Sequence, residues 1–385
     1  MKIAYLTIGA SDDVGAWSGI PFFMSDGFAR AGADLIRIQN LRGAQSLHLR
    51  CRDLFRRRIL HENYSTFRHK KRLVLYARQV AEIANRVRPD VIVCPSTLPM
   101  AYLETDIPIV IWTDSTFHSL LNFYPEYFNM SEQAIAEGDA AERAALERCT
   151  LALYASEWAA QSAIGDHGAD PRKVRVIPMG ANLPETQNEP EVARMVRSRP
   201  ADRCELLLLG VDWVRKGCAI AVDVAKELNR RGLPTTLTIA GCNPPDGVVP
   251  DCVQTVGFID KRTHEGTEKL KGLLAKSHFL ILPSRAECFG IVFAEANSFG
   301  VPVLASRVGG IPSAVSTGKN GFTVPIQSDN PGGEVEKYCD LVTRTMSSPA
   351  VYYELAMSSF REYRDKLNWR VATAAALKAM GEKIY

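Results

Sequence analysis

The nine cysteines of this 385-residue chain form no Cys-x-x-Cys pair and are odd in number, which excludes a zinc ribbon and a complete disulfide framework. Several stand in apolar runs, as Cys94 does in DVIVC, where a thiol behaves as a small hydrophobe. No stretch approaches the roughly 20 consecutive apolar residues of a membrane-spanning helix. The opening MKIAYLTIGA carries one charge and an apolar run cut short at Gly9, too brief for the core of a secretory signal. These absences predict a cytoplasmic protein, with one reservation about a membrane surface. Neither sign of charge dominates, since 46 Lys+Arg face 43 Asp+Glu for a net +3. With 46% hydrophobic and 23% charged residues, disorder and collagen-like repeats are excluded, and the length suits two or three domains.

The common nucleotide and hydrolase signatures are missing too. Gly318-Lys319 is followed by Asn320, so no phosphate-binding G-x-x-x-x-G-K-[ST] loop exists. After the first strand there are only Gly9, Gly15 and Gly19 in a loop with Trp17 and Ser18, and no G-x-G-x-x-G. A P-loop NTPase and an ordinary NAD enzyme are therefore disfavoured. Neither G-x-S-x-G nor H-E-x-x-H occurs, which removes the nucleophile-elbow hydrolases and the zincins.

What is present is a repeated alternation of strands and helices. Short β-branched runs stand at 2–8, 34–39, 90–94, 107–113, 151–156 and 173–179, most of them separated by helical patterns such as Ala81, Ile83, Ala84 and Val87 before Pro89. A second series follows at 204–210, 235–241, 253–259, 278–284, 302–306 and 321–326, with helices expected at 217–231, 264–276 and 291–299. The last 55 residues read as mostly helical. Parallel strands need such crossovers. The spacing predicts an α/β chain of two successive doubly wound domains, 1–185 and 204–365, joined by a Pro- and charge-rich linker at 186–203. Ligands of such sheets sit outside the carboxyl ends of the strands, so the loops there are the first place to look.

The densest signal is PSRAECFGIVFAEANSFGVPVLASRVGGIP, residues 283–312. Glu287 lies in the loop after a strand and Glu295 eight residues on, in the helix that Phe289-Gly290-Ile291 opens. Backbone N–H groups at a helix start can bind an anion, and the two carboxylates can take sugar and ribose hydroxyls. The segment resembles the E-x7-E signature of the family-four glycosyltransferases, retaining enzymes of the GT-B fold. Matching residues run from Pro283-Ser284 through Glu287, Phe289-Gly290, Glu295-Ala296, Gly300-Val301-Pro302-Val303 and Gly309-Gly310-Ile311-Pro312 to Asn320-Gly321.

The resemblance extends along most of the chain. LLLLGVDWVRKG (206–217) looks like the family's strand-loop-helix whose Lys and Arg bind the donor diphosphate; Lys216 matches, and Arg215 stands in for an Arg that the family places where this chain has Val211. Cations at a helix start oppose its dipole, which favours an anionic partner there. VGFID (256–260) resembles the nucleobase loop, with Phe258 or Ile259 against the base. Residues 366–385 resemble the family's last helix, which crosses back to the N-terminal domain.

Two departures accompany the match. Asp114 in PIVIWTD aligns with a His that contacts the donor sugar in many relatives, and His118 four residues later is the alternative. The family's Glu after GGIP is Ser313 here. Gly19 is the closest counterpart of the family's Gly-Gly loop near sugar and phosphates. The resemblance implies metal-independent transfer of a hexose, with retention, from a nucleoside-diphosphate sugar to a hydroxyl acceptor, and no cofactor. Glu287, Asp114, Lys216 and Arg215 are its expected catalytic residues; Gly19, Phe258, Ile259, Phe289, Gly290, Ile291 and Glu295 are the expected donor contacts. The alternatives are another GT-B activity, such as a sugar-nucleotide epimerase or phosphorylase, and, from another class, a non-catalytic nucleotide-sugar-binding protein.

Charge is unevenly spread. Residues 42–88 hold 13 Lys+Arg against three acids, a net +10, so the other 338 residues carry −7. The run LHLRCRDLFRRRIL within it interleaves apolar and basic residues, as a helix on an anionic membrane or acceptor would. No nucleic-acid recognition motif accompanies it.

Overall fold

The computed structural model describes residues 1–43, 58–59, 61–64, 66–184, 187–245, 247–327 and 329–384. The chain divides into two compact units, Met1–Pro178 with Ala372–Tyr385, and Met179–Val371. Most of the basic run at 47–60 lies outside the described residues.

The first unit is built on β1 (Lys2–Leu6), β2 (Asp34–Ile38), β3 (Val91–Cys94), β4 (Ile109–Thr113), β5 (Leu151–Tyr154) and β6 (Val174–Val176). They form one parallel sheet in the order β2-β1-β3-β4-β5-β6. Strands β3, β4 and β5 are buried at every position, which is why VIVC, IVIWT and LALY read as unbroken apolar runs. The helix Lys70–Val87 buries Leu73, Tyr76, Ala77, Val80 and Ala84 along one stripe and ends at Arg88 in the left-handed region, just before Pro89.

The second unit repeats the plan with β7 (Cys204–Leu209), β8 (Thr235–Ala240), β9 (Val253–Thr255), β10 (Phe279–Leu282), β11 (Val303–Ser306) and β12 (Gly321–Val324), parallel in the order β12-β11-β10-β7-β8-β9. The order reverses between β7 and β10 here, and between β1 and β3 in the first unit. At such switch points the loops leaving adjacent strands turn to opposite faces and open a crevice at the carboxyl ends.

The expected strand at 253–259 pairs only over Val253–Thr255, after which the chain turns irregular. The segment expected as a linker instead holds the helix Glu189–Ser198. Its Asn188 and Glu191 cap reciprocally, Pro190 fits the first turn, and Val192 and Val196 are buried. Arg199 then plugs into the unit's core, its guanidinium donating to the carbonyls of Phe299 and Gly300 at 2.7 Å each and to the Tyr352 hydroxyl at 2.7 Å. Proline and charge at 186–203 thus mark a helix start and a polar face. The C-terminal helix Trp369–Ile384 belongs to the first unit from Ala372, where Thr373 donates to the Gly27 carbonyl at 3.3 Å. Among the described residues no helix is long and apolar enough to cross a membrane.

One buried histidine makes stability pH-dependent. His278 accepts the Glu205 N–H at Nδ1 (3.0 Å) and is 2.8 Å from the Pro200 carbonyl at Nε2, which fits a single neutral tautomer. Burial pushes its imidazole down to about 4. The unfolded chain therefore takes up a proton first as pH falls, so stability is full above about 6.5 and declines toward pH 4, by roughly 3 kcal/mol at most. Urea midpoints measured at pH 7.5 and pH 5 should fall with pH, and His278→Gln, which keeps one donor and one acceptor, should flatten part of that slope. His167 in the first unit, also pushed down to about 4 by burial, adds to the same trend.

Candidate functional site

In the second unit the loops after β7 and β10 flank the switch point, and each delivers charge to it. The Lys216 ammonium donates to the Glu287 carboxylate, and both residues are only 8% exposed. The Arg215 guanidinium lies 3.8 Å from Glu287 and 3.7 Å from Asp212, and donates to the Ala286 carbonyl at 3.3 Å. Asp212 also accepts the Arg215 N–H at 2.9 Å, which ties the loop into a turn.

Glycine makes this approach of two loops feasible. Gly217 has φ of +68°, and a Cβ there would sit 2.1 Å from the Pro283 carbonyl oxygen. Gly290, with φ of +87°, caps the helix Ile291–Asn297, and a Cβ on it would meet the Phe293 ring at 2.2 Å. That helix is seven residues long, two shorter at its C-terminal end than expected, so its dipole contributes little beyond its first N–H groups.

Burying an ion pair seldom adds net stability, because desolvation offsets the attraction. Lys216 has three N–H donors and its contact with Glu287 uses one, which leaves capacity for an incoming anion.

Glu295 is 1% exposed and its Oε1 accepts from the Lys261 ammonium at 2.8 Å. Lys261 was not among the expected site residues; the only sequence signal is a basic residue directly after VGFID. Phe258 is 69% exposed, as a base-stacking side chain would need to be, whereas Ile259 is partly buried. The Phe289 and Ile291 side chains are buried, at 1% and 7% exposure, so what they can offer a ligand is backbone. Arg285, from the same loop, is committed elsewhere, donating to both oxygens of the buried Glu334 at 2.9 and 3.1 Å.

The first unit holds the remaining expected residues. Asp114 directly follows β4, is 8% exposed, and accepts from the Ser115 hydroxyl at 3.2 Å. Thr116 caps the short helix Phe117–Leu120 that presents His118. His118 Nδ1 lies 3.5 Å from Asp139 Oδ1, and its ring meets His167 edge-on at 6.0 Å. Gly19 follows Trp17 and Ser18, and all three have positive φ (46°, 57° and 91°), a tight left-handed turn after β1 that holds Trp17 at 41% exposure. The first unit also holds a buried polar group that the sequence did not single out: Glu142 accepts from the Thr97 hydroxyl at 2.7 Å and sits 3.7 Å from the Arg68 guanidinium. Burial pushes the Glu142 carboxyl up, and Arg68 partly counters it.

Residues 25–184 match a model described as Glycosyltransferase Family 4, and residues 203–343 one described as Glycosyl transferases group 1. The D-inositol 3-phosphate glycosyltransferase of Saccharomonospora viridis is 28% identical over 224 residues, covering 55% of this chain and 50% of that protein. The chain thus spans about half the length of the curated relatives it matches. Among solved structures, sucrose-phosphate synthase from Thermosynechococcus elongatus superposes with a TM-score of 0.68 at 16% identity, over 99% of this chain and 98% of that one. Anabaena Alr3699/HepE, in complex with UDP and glucose, gives 0.64 at 17% identity, over 99% of both. At such identities these structures carry the fold, GT-B, with its two parallel-sheet α/β domains.

Proposed function

We propose, from the premise that the chain belongs to the family-four glycosyltransferases, that it transfers a hexose with retention from a nucleoside-diphosphate sugar to a hydroxyl acceptor, without a metal. The observation that carries this reading is the meeting of Lys216 and Glu287, from the two loops at the switch point of the second sheet, with Arg215 beside them.

Glycosyl transfer has to stabilise an oxocarbenium-like centre while a diphosphate departs with growing negative charge. The Lys216 ammonium and Arg215 guanidinium, both largely buried, meet that charge where fixed donors are worth most. Glu287 orients Lys216 and offers its carboxylate to sugar hydroxyls, while Glu295 accepts from the ribose and Phe258 packs on the base. In the first unit taken by itself, Asp114, or His118 in its place, and Gly19 are the candidate sugar and phosphate contacts. The HepE structure with UDP and glucose makes UDP-sugars the first donors to try. The relatives named for D-inositol 3-phosphate suggest a phosphate-bearing acceptor, to which the basic segment 42–88 is suited. The same segment is the proposed contact with an anionic membrane.

The test is a thermal-shift screen of UDP-, GDP- and ADP-sugars in the presence of EDTA. One series should raise the melting temperature, because a ligand at 100 times its Kd stabilises by about 2.7 kcal/mol, and the chelator should make no difference. Stabilisation by none of them, or only on adding a divalent cation, would overturn the reading.

A further inference from the structure

We infer that Lys261 is a positioning residue that gives this chain its preference for ribonucleotides, by holding Glu295 in one orientation for the ribose diol. The inference rests on the reading of Glu295 as the ribose contact and adds the residue that makes that contact selective.

Glu295 lies in the helix Ile291–Asn297 at 1% exposure, where a carboxylate without a partner would be costly. Its Oε1 takes the Lys261 ammonium at 2.8 Å, which holds that oxygen and leaves Oε2 as the oxygen for a ligand's hydroxyls. Lys261 in turn stands on a braced loop. Asp260 accepts the Arg262 N–H at 3.0 Å and its guanidinium at 2.8 and 2.9 Å, and the Thr263 hydroxyl donates back to the Asp260 carbonyl at 3.0 Å. The Thr267 hydroxyl donates to the Lys261 carbonyl at 3.1 Å from within the helix His264–Lys276, which Thr263 caps. The backbone of Lys261 is therefore held on both sides, and its flexible stem ends on a fixed target.

A Lys side chain 21% exposed that reaches a buried carboxylate gains little for the fold, since lost rotamer freedom and desolvation offset the attraction. Its value lies in presetting an acceptor. A carboxylate held in this way discriminates, because a ligand lacking the hydroxyls leaves its second oxygen without a match.

The experiment is calorimetric titration of wild type, Lys261→Met, Lys261→Arg and Glu295→Gln. The ligands are whichever of UDP, GDP and ADP binds wild type best, its 2′,3′-dideoxy counterpart, and inorganic pyrophosphate. Wild type should favour the ribonucleotide over the dideoxy form by at least tenfold. Lys261→Met should bring the two within twofold of each other without altering pyrophosphate binding, and Lys261→Arg should keep most of the preference. Equal weakening of all three ligands in Lys261→Met would place its action on the phosphates or the fold and overturn the inference. So would an intact preference in Lys261→Met alongside its loss in Glu295→Gln, which leaves the ribose reading standing. No preference in wild type would remove the Glu295 reading, and the role of Lys261 with it.

Discussion

Replacing Lys216 with alanine should lower turnover of the nucleotide sugar by about 10²- to 10³-fold, the usual cost of deleting one preorganised donor to a developing anion. It should also destabilise the second unit by about 3 to 5 kcal/mol, because Glu287 is left buried with Arg215, at 3.8 Å, as its nearest remaining cation among the described residues. The two effects separate in a double variant. Lys216→Met with Glu287→Gln removes both charges and should recover most of the stability while activity stays lost. Steady-state release of nucleoside diphosphate, beside urea unfolding of the same samples, measures both. Recovery of turnover along with stability would mean that the pair is scaffolding.

A comparable effect is expected from one methyl group. Gly217→Ala places a Cβ 2.1 Å from the Pro283 carbonyl oxygen on backbone that already has a positive φ of 68°. Either the two loops separate or the turn flips, and Lys216 moves in both cases. The cost should be about 2 to 3 kcal/mol, roughly 5 to 10 °C in Tm for a unit of this size, with donor affinity at least tenfold weaker. Gly272→Ala is the control. It lies in the helix His264–Lys276 with nothing within 4 Å of the added carbon, and should be neutral or slightly stabilising. Similar losses at both glycines would show that the contact with Pro283 is not what matters.

Both sheets were legible because parallel strands buried on two faces must be written as apolar runs, and the crossover helices between them carry a second, distinct periodicity. The E-x7-E segment was legible for a different reason. Its chemistry sits on contiguous residues whose glycines are required by close approach. What the sequence hid depends on distance along the chain. Lys261 and Glu295 stand 34 positions apart, and nothing in IDKRT alone says that its first cation reaches a buried acid. The same holds for Asp139 beside His118, which lies on another helix. Helix Glu189–Ser198 resembles a linker in sequence because its proline and acids belong to a capped first turn, which composition alone cannot tell from a spacer. The burial of Phe289, next to a glycine that needs an open backbone, is likewise a tertiary fact.

The central claim is that this chain cleaves a nucleotide sugar rather than only holding it. The most direct measurement is proton NMR of the anomeric signal of whichever UDP-, GDP- or ADP-sugar stabilises the protein, followed over time with the chain present. Free nucleoside diphosphate should accumulate, slowly by hydrolysis and faster once an acceptor is supplied, and the new anomeric signal should keep the configuration of the donor. A donor that binds and stabilises but is still intact after prolonged incubation with Glu287 and Lys216 in place, or a product of inverted configuration, would contradict the account.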